Sequence, residues 1–345
     1  MQILNEKIKR TSIRFVNELP NEIIVRPGMP AVLQFETHNM CGSCLKCDTP
    51  SCIYLDSDVI KCEKVKEFPE DRDNRVCPVG AISWNEKLEA PVIDDSKCIH
   101  CGLCARQCPV GAIYYGEDRI NICYDADGYE EEPYSSSTIC QQKKFINEIR
   151  NKKRTGCFTP KNDHVLEELY RRIQSSCLLP EKFVRNIMVG LGCKCATRRV
   201  GDVYVRMDAI YNTPNGTFGA IEVEFGADTL SAARGILDDI AVLHSRYQID
   251  KHHNTALVVC LSLPNLRQGY WQVVKDIAVV ENIKINTLTC GAMLVLLWNQ
   301  MELDLGTTDF YVDYDTPSIR ALLNDKLGRD VQINEKVLGV IEPIK

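Results

Sequence analysis

Hydrophobic and polar residues recur with a helical period in the C-terminal half of the chain. Between Asp163 and Cys177, apolar residues return every three or four positions, which places them on one face of a helix. A second, short helix is expected after Pro180. Residues 229–247 and 271–280 fit two further helices, and Asp228 is a plausible N-terminal cap for the first of them.

Strands are predicted between and after these helices. The first covers residues 195–200, and two more form a hairpin across residues 202–225. Residues 256–261 are continuously apolar, which is typical of a strand buried on both faces, and residues 293–298 predict another apolar strand. The order is helix, strand, strand, strand, helix, strand. Helices interleaved with buried strands predict an α/β sandwich domain.

The loop of the hairpin decides which side chains face each other. A two-residue Asn-Gly turn sets Asp208 opposite Val223, whereas a three-residue Pro-Asn-Gly loop sets Asp208 opposite Glu222. The longer loop is better physically, because Pro favours the first central position of a type I turn and Gly the following left-handed position. The shorter turn places Pro214 where a closing backbone N–H is needed. We therefore expect Asp208 to pair with Glu222.

In this register, three carboxylates lie on one face of the hairpin. Side chains alternate along a strand, so Asp208, Glu222 and Glu224 share a face. Like charges opposite each other destabilise a sheet, and a divalent cation is the simplest compensation. Carboxylate oxygens suit Mg²⁺ or Mn²⁺. The sequence therefore predicts a metal site held by Asp208 and Glu222.

With this element order and hairpin, residues 160–265 resemble the PD-(D/E)xK nuclease superfamily, which has the restriction-endonuclease-like fold. Asp208 matches the acid of the second strand and Glu222 that of the third, while Glu224 replaces the usual Lys, as in some members. A Glu on the first helix often completes the site, and Glu167 and Glu168 are the candidates. The resemblance implies metal-assisted hydrolysis of phosphodiester bonds in DNA or RNA, with Asp208, Glu222, Glu224 and Glu168 as catalytic residues. Glu224 would ligate metal or orient the attacking water.

Overall composition adds little to this picture except through the cysteines. Hydrophobic residues make up 45% of the 345-residue chain and charged residues 26%, with a net charge of −6, which is ordinary for a globular protein. No apolar run is long enough for a transmembrane helix, and the N-terminus lacks the apolar core of a signal peptide, so we expect a cytoplasmic protein without membrane partners. Eighteen cysteines in a reducing compartment indicate metal ligation rather than disulfides.

The strongest motif runs from Cys98 to Pro109. Its spacing, C-x2-C-x2-C-x3-C-P, is the bacterial ferredoxin pattern for [4Fe–4S] clusters. Three thiolates of the tight loop converge on one cluster, while the fourth, Cys108, serves the other. Gly102 lets the backbone fold closely around the cluster.

A second half of the motif precedes the first. Residues 41–47 supply another C-x2-C-x2-C, and the segment Cys-Pro-Val-Gly-Ala-Ile at 77–82 repeats exactly at 108–113. This duplication resembles the pseudo-twofold, two-cluster bacterial ferredoxins and covers residues 31–125. The resemblance implies that each cluster takes three cysteines from one half and one from the other. One set is Cys41, Cys44, Cys47 and Cys108, and the other is Cys98, Cys101, Cys104 and Cys77.

The spacing between Cys47 and Cys77 is longer than in the family. This stretch contains Cys52, which competes with Cys47 or Cys77 as a ligand, and Cys62. We favour Cys77 because it carries the following Pro and the repeated segment.

The predicted architecture is an α+β, ferredoxin-like two-cluster domain followed by an α/β, restriction-endonuclease-like sandwich domain. The expected divisions are an N-terminal extension (1–30), the ferredoxin domain (31–125) with an insert (48–76), a linker (126–158) and the nuclease-like domain (159–345). Basic residues between 143 and 154 make the linker either a solvated helix or a phosphate-contacting patch.

Two functions follow from these domains. The first is an iron–sulfur nuclease acting on DNA or RNA. The alternative is a ferredoxin-type electron-transfer or redox-sensing protein, whose C-terminal domain docks a redox partner protein. The chain carries no P-loop and no GxGxxG dinucleotide fingerprint, so we expect neither an ATPase nor a Rossmann domain.

Overall fold

A computed structural model of the protein describes residues 50–87, 90–108, 113–116, 119–122, 163–176, 178–226, 228–251, 253–267, 269–299, 301–306, 318–328, 330–331 and 339–343. These residues belong to two compact units. The first lies within Met1–Leu55, Arg75–Thr159 and Trp298–Gln300, and the second within Asp56–Asn74, Pro160–Leu297 and Met301–Lys345. The helices of the described residues include none with the length and hydropathy that a bilayer crossing requires.

The first unit is built from two hairpins that flank a short helix. Strands β1 (Ile82–Asn85) and β2 (Ala90–Ile93) pair antiparallel, as do β3 (Ile113–Gly116) and β4 (Arg119–Ile122). Helix α1 (Leu103–Gln107) lies between them in the chain. Both copies of the repeated segment end in the first residue of a strand, Ile82 or Ile113, and both isoleucines are buried. The sequence repeat is therefore a structural repeat at these positions.

A five-stranded mixed sheet forms the centre of the second unit. Its strands are β5 (Lys194–Thr197), β6 (Ala209–Asn212), β7 (Phe218–Glu224), β8 (Asn254–Cys260) and β9 (Ile285–Thr289), and they lie in this order across the sheet. Strand β6 is antiparallel to β5 and β7, while β7, β8 and β9 run parallel.

Helices before, between and after the strands complete the second unit. They are α2 (Asp163–Ser175), α3 (Pro180–Gly190), α4 (Thr229–Tyr247), α5 (Tyr270–Glu281), α6 (Cys290–Trp298) and α7 (Arg320–Leu327). The last residue of α6, Trp298, belongs to the first unit. The Asp228 side chain accepts the backbone N–H of Ser231, which confirms the predicted cap of α4. The order helix, strand, strand, strand, helix, strand is also present if α2 and α3 are taken together. The second unit is a mixed α/β sheet domain.

The prediction of a strand at residues 293–298 is wrong. Residues 293–298 were predicted as a strand, but they belong to helix α6, in which every residue is buried. A helix that is apolar all round has no polar face to reveal its period, so a short apolar run cannot be distinguished from a buried strand. The strand of this region is β9, just before the helix.

The predicted hairpin register is confirmed. Ala209 pairs with Ile221 and Asn212 with Phe218, which corresponds to a loop of three residues, Pro214 to Gly216. Gly216 has φ +88°, the left-handed conformation expected of it. Strand β6 is shorter than predicted, because the Asp202 carboxylate accepts the backbone N–H groups of Tyr204 and Val205 and holds them in a local turn.

Part of the predicted insert belongs to the second unit. Within residues 56–74, the N–H of Asp71 donates to the carbonyl of Thr197 (2.8 Å), and Lys182 lies 2.9 Å from a carboxylate oxygen of both Asp71 and Asp73. This segment therefore extends the α/β domain next to β5. The other predicted domain boundaries stay predictions, and the extension 1–30 and the linker 126–158 fall outside the described residues.

Candidate functional sites: a cysteine group and a carboxyl cluster

The chain between β2 and α1 is a tight loop that carries three of the predicted ligands, Cys98, Cys101 and Cys104. His100 (φ 58°) and Gly102 (φ 80°) both adopt the left-handed conformation, so the backbone reverses twice within a few residues. Gly102 then precedes the first residue of α1. The left-handed conformation favours glycine at position 102.

Cys77, from the other half of the repeat, joins these three cysteines. Burial raises the pKa of the Cys101 thiol well above its usual value, and Cys77 and Cys98 raise it further. The pKa of the Cys104 thiol is also raised well above its usual value by burial, then by Cys101, Cys98 and Cys77. Cys98 and Cys101 are buried, and Cys77 and Cys104 are partly buried. Thiolates this close together need a compensating positive charge, and cluster iron supplies such charge. The donor set therefore fits the predicted cluster.

Backbone N–H groups are directed at two of these sulfur atoms. The N–H of Ala81 lies 3.2 Å from Cys77 Sγ, and the N–H of Leu103 bonds to the Cys101 sulfur and lowers the pKa of that thiol. Such hydrogen bonds stabilise thiolate charge and tune the potential of a cluster. They are a second feature that fits cluster ligation.

Two further cysteines bear on the ligand assignment. Cys52 is buried in the first unit and raises the pKa of Cys104, although less than Cys77 does. Both cysteines therefore lie near the loop, and Cys77 has the larger effect on the pKa of Cys104. Cys108 is also buried, but its predicted co-ligands, Cys41, Cys44 and Cys47, fall outside the described residues. The second ligand set stays a prediction.

Asp208 and Glu222 lie opposite each other, as the register requires. Asp208 directly precedes β6, and one of its carboxylate oxygens accepts the N–H of Val223 at 2.9 Å. Arg198 is 3.8 Å from the other oxygen. The Asp208 side chain is only 15% exposed, so Arg198 and the Val223 N–H replace only part of its lost hydration.

Helix α4 contributes a third acid that sequence reasoning missed. Asp239 is 2% exposed and shares a hydrogen bond with Glu222. Gly235, one turn earlier, leaves room for the Glu222 carboxyl, because a Cβ at this position would lie 3.0 Å from Glu222 Oε1. The missed signal was an aspartate within the apolar face of α4, between Ile236 and Ile240, where an unpaired acid is rare.

Burial and mutual repulsion raise the pKa of all three carboxyl groups, which we call the carboxyl cluster (Asp208, Glu222 and Asp239). Burial raises the pKa of Asp208 to about 6. Burial, followed by Asp208 and Asp239, raises the pKa of Glu222 to about 9. Burial and Asp208 raise the pKa of Asp239 to about 7. At neutral pH the cluster therefore retains protons, and Glu222 and Asp239 share one in their hydrogen bond.

The carboxyl cluster has the chemistry of ligands for a divalent cation, but its three acids do not form a three-ligand site. Hard carboxylate oxygens with raised pKa values are suitable partners for Mg²⁺ or Mn²⁺. However, within the described ranges no three His, Cys, Asp or Glu side chains are arranged to hold a metal ion. The cysteine group is not arranged around a single metal ion either. A cubane is larger than one ion and would keep its thiolate ligands farther apart.

The other two predicted catalytic residues differ in their surroundings. Glu224 raises the pKa of Asp208, so it lies near the carboxyl cluster, and its carboxylate accepts the N–H of Gly226 at 2.6 Å. Glu168 instead pairs with Arg171 and Arg172 of its own helix. The helix acid that acts on Asp208 is Glu181 of α3. The catalytic assignments stay predictions.

Comparison with known proteins identifies the cysteine region. The family model described as a 4Fe-4S binding domain matches residues 91–114. The chain thus contains a ferredoxin-type 4Fe–4S region joined to a mixed α/β sheet domain.

Three relatives are similar to parts of the chain. An uncharacterized ferredoxin of Methanocaldococcus jannaschii is 32% identical over 95 residues, which are 25% of this chain and 62% of the relative. Subunit VorD of the Pyrococcus abyssi ketoisovalerate oxidoreductase is 37% identical over 68 residues, 19% of this chain and 65% of the subunit. The polyferredoxin-like subunit of the Pyrococcus furiosus aliphatic sulfonate oxidoreductase is 43% identical over 49 residues, 14% of this chain and 28% of the subunit.

In each case the match spans less than two thirds of the relative's length. No solved structure matches the chain.

Proposed function

We propose that this chain is an electron-transfer protein that holds two [4Fe–4S] clusters and passes electrons to a redox partner protein. The observation that carries the proposal is the grouping of Cys77 with Cys98, Cys101 and Cys104. The similarity to ferredoxins and to subunits of two oxidoreductases supports it. A bound [4Fe–4S] cluster supplies reversible uptake and release of one electron.

The residues around the cysteine group have defined tasks in this proposal. Cys98, Cys101, Cys104 and Cys77 bind one cluster, and Cys41, Cys44, Cys47 and Cys108 bind the other. Apolar side chains next to the ligands, such as Ile99 (2% exposed) and Leu103 (1% exposed), exclude water from the sulfur atoms. The α/β domain docks the partner.

Redox titration of the anaerobically purified full chain tests this function. We expect about eight irons per chain, the content of two cubanes, a paramagnetic signal after dithionite reduction, and complete reoxidation by oxidised methyl viologen or a higher-potential dye. A chain that binds iron but cannot be reversibly reduced would contradict electron transfer. A chain purified without iron and sulfide would contradict the cluster assignment itself.

A second candidate function rests on the carboxyl cluster. The pairing of Asp208 with Glu222, and the nearby Glu224, agree with what the nuclease resemblance implies for residues 208–224. In this proposal Asp208 and Glu222 bind Mg²⁺ or Mn²⁺, and the substrate is a DNA or RNA phosphodiester. Asp208 and Glu222 would hold the metal, which would supply polarisation of the phosphate and a bound water of lowered pKa.

Cleavage of labelled DNA and RNA panels in Mg²⁺ or Mn²⁺ tests the nuclease. Glu222→Ala is expected to lower the cleavage rate at least a hundredfold, because it removes a proposed metal ligand. Asp276→Asn, an exposed change on α5, serves as the control. Equal cleavage by wild type and Glu222→Ala, or no metal-dependent cleavage at all, would exclude this site as a nuclease.

A further inference from the structure

We propose that Trp298 is a positioning residue for the cluster bound by the Cys98–Cys104 loop. This inference deepens the proposed function, since it concerns the same cluster. Its first support is a hydrogen bond: Trp298 Nε1 donates to the carbonyl oxygen of Cys101 at 2.8 Å. The residues are 197 positions apart in sequence, yet both belong to the first unit.

The second support is the close packing of the indole against Gly102. A Cβ atom at Gly102 would lie 3.1 Å from Trp298 Nε1 and 3.4 Å from its Cδ1, so no side chain fits here without displacing the ring. Gly102 is also left-handed, with φ +80°. Position 102 thus meets two demands at once, the reversal of the loop and the approach of the indole.

Trp298 is itself buried. Its side chain is 1% exposed, and the indole packs against Gly102. A ring fixed in this way pays little entropy when it orders another segment. The indole can therefore fix the peptide that joins Cys101 to Gly102 in a single orientation.

This contact acts on a cluster in two ways. The hydrogen bond fixes the backbone of a ligand cysteine, which slows the loss of iron, since partners of metal ligands typically change affinity by about tenfold to a hundredfold. The N–H dipole also places positive charge near the site that receives the electron, and this stabilises the reduced state. Trp298 does not touch the reacting atoms, so its role is positional.

The test compares two tryptophan variants in the full-length protein. Trp298→Phe keeps an aromatic ring but removes the N–H. Trp271→Phe is a matched control, because Trp271 is also fully buried and donates to a backbone carbonyl, that of Pro264, at 2.9 Å in the second unit. Two quantities are measured: the rate of iron release to a chelator and the reduction potential of each cluster, followed by electron paramagnetic resonance.

For Trp298→Phe we expect about tenfold faster release of iron from one cluster and a lower potential for that cluster alone. Trp271→Phe should match wild type in both quantities. Identical release rates and potentials in the two variants would overturn the proposal. If wild type binds iron but proves irreducible, electron transfer fails, whereas the release rates still decide the role of Trp298.

A measurement on the wild-type protein covers the case in which Trp298→Phe does not fold. With ¹⁵N-labelled indoles, the Nε1–H signal of Trp298 should shift or broaden when the cluster is reduced, because it lies one hydrogen bond from a ligand residue. The signal of Trp271 should not change. Equal behaviour of the two signals would contradict the placement of Trp298 at the cluster.

Discussion

Replacing Cys77 with alanine is expected to remove one [4Fe–4S] cluster and roughly half of the iron. Among the neighbouring thiols, Cys77 raises the pKa of Cys101 the most. Its sulfur also accepts the N–H of Ala81. Without the Cys77 thiolate one iron of the cubane lacks a protein ligand, so the cluster is not retained during purification. Iron and sulfide counting, with the absorbance of the oxidised clusters, measures the loss after anaerobic purification.

Two cysteine variants make this result specific. Cys260→Ala removes a buried thiol of strand β8 in the second unit and should leave the iron content unchanged. Cys52→Ala tests the competing ligand, since Cys52 also acts on Cys104. If Cys52→Ala loses a cluster while Cys77→Ala keeps both, the ligand assignment must be exchanged.

The cysteine group shows how far spacing alone can predict a site. The C-x2-C-x2-C pattern identifies a loop because three ligands within seven residues leave the backbone few possible conformations. The left-handed Gly102 follows from the same constraint. The fourth ligand is harder to predict, because both Cys52 and Cys77 belong to the first unit. Sequence spacing alone does not tell which of them lies nearer the loop.

The hairpin was predictable to the residue. Its loop contains Pro, Asn and Gly in the order that a three-residue connection needs, so local conformational preferences fix the pairing of Asp208 with Glu222. Helix α6 was not predictable in this way, because uniformly apolar residues carry no period. Asp239 was missed for a third reason. It reaches Glu222 through the packing of α4 on the sheet, and a strand pattern contains no information about that contact.

The contact between Trp298 and Cys101 could not be predicted from the sequence. Nothing near residue 298 resembles a ferredoxin motif, and its partner Cys101 is far away in the chain. Only the folded structure brings the two together. The same holds for residues 56–74, which precede Cys77 in sequence but complete the α/β domain.

Replacing Glu222 with glutamine is expected to stabilise the metal-free protein at alkaline pH. The three acids of the carboxyl cluster have pKa values of about 6, 9 and 7 in the fold, above their ordinary values near 4. As pH rises above 4, the unfolded chain ionises first, so the folded state binds more protons and the free energy of unfolding falls. The fall continues to about pH 9, where Glu222 also ionises in the folded state.

Glutamine at position 222 carries no charge and can still donate a hydrogen bond to Asp239. The variant should therefore lose less stability between pH 5 and pH 9 and exceed wild type at pH 8 by on the order of 2 kcal/mol. Urea unfolding in EDTA, followed by circular dichroism over this pH range, measures the difference. The control is Asp276→Asn, which removes an exposed acid of α5 and should leave the pH profile nearly as it is in wild type.

Parallel pH profiles for wild type and Glu222→Gln would show that the carboxyl cluster imposes no such cost. Repeating the urea unfolding with Mg²⁺ or Mn²⁺ in place of EDTA then shows whether protons or metal cations neutralise the carboxyl cluster. A cation bound by Asp208 and Glu222 should stabilise wild type most at high pH, where it replaces the missing protons, and should affect the glutamine variant much less. Equal stabilisation of both proteins would mean that protons alone satisfy the cluster, and that the metal-dependent nuclease lacks its binding site.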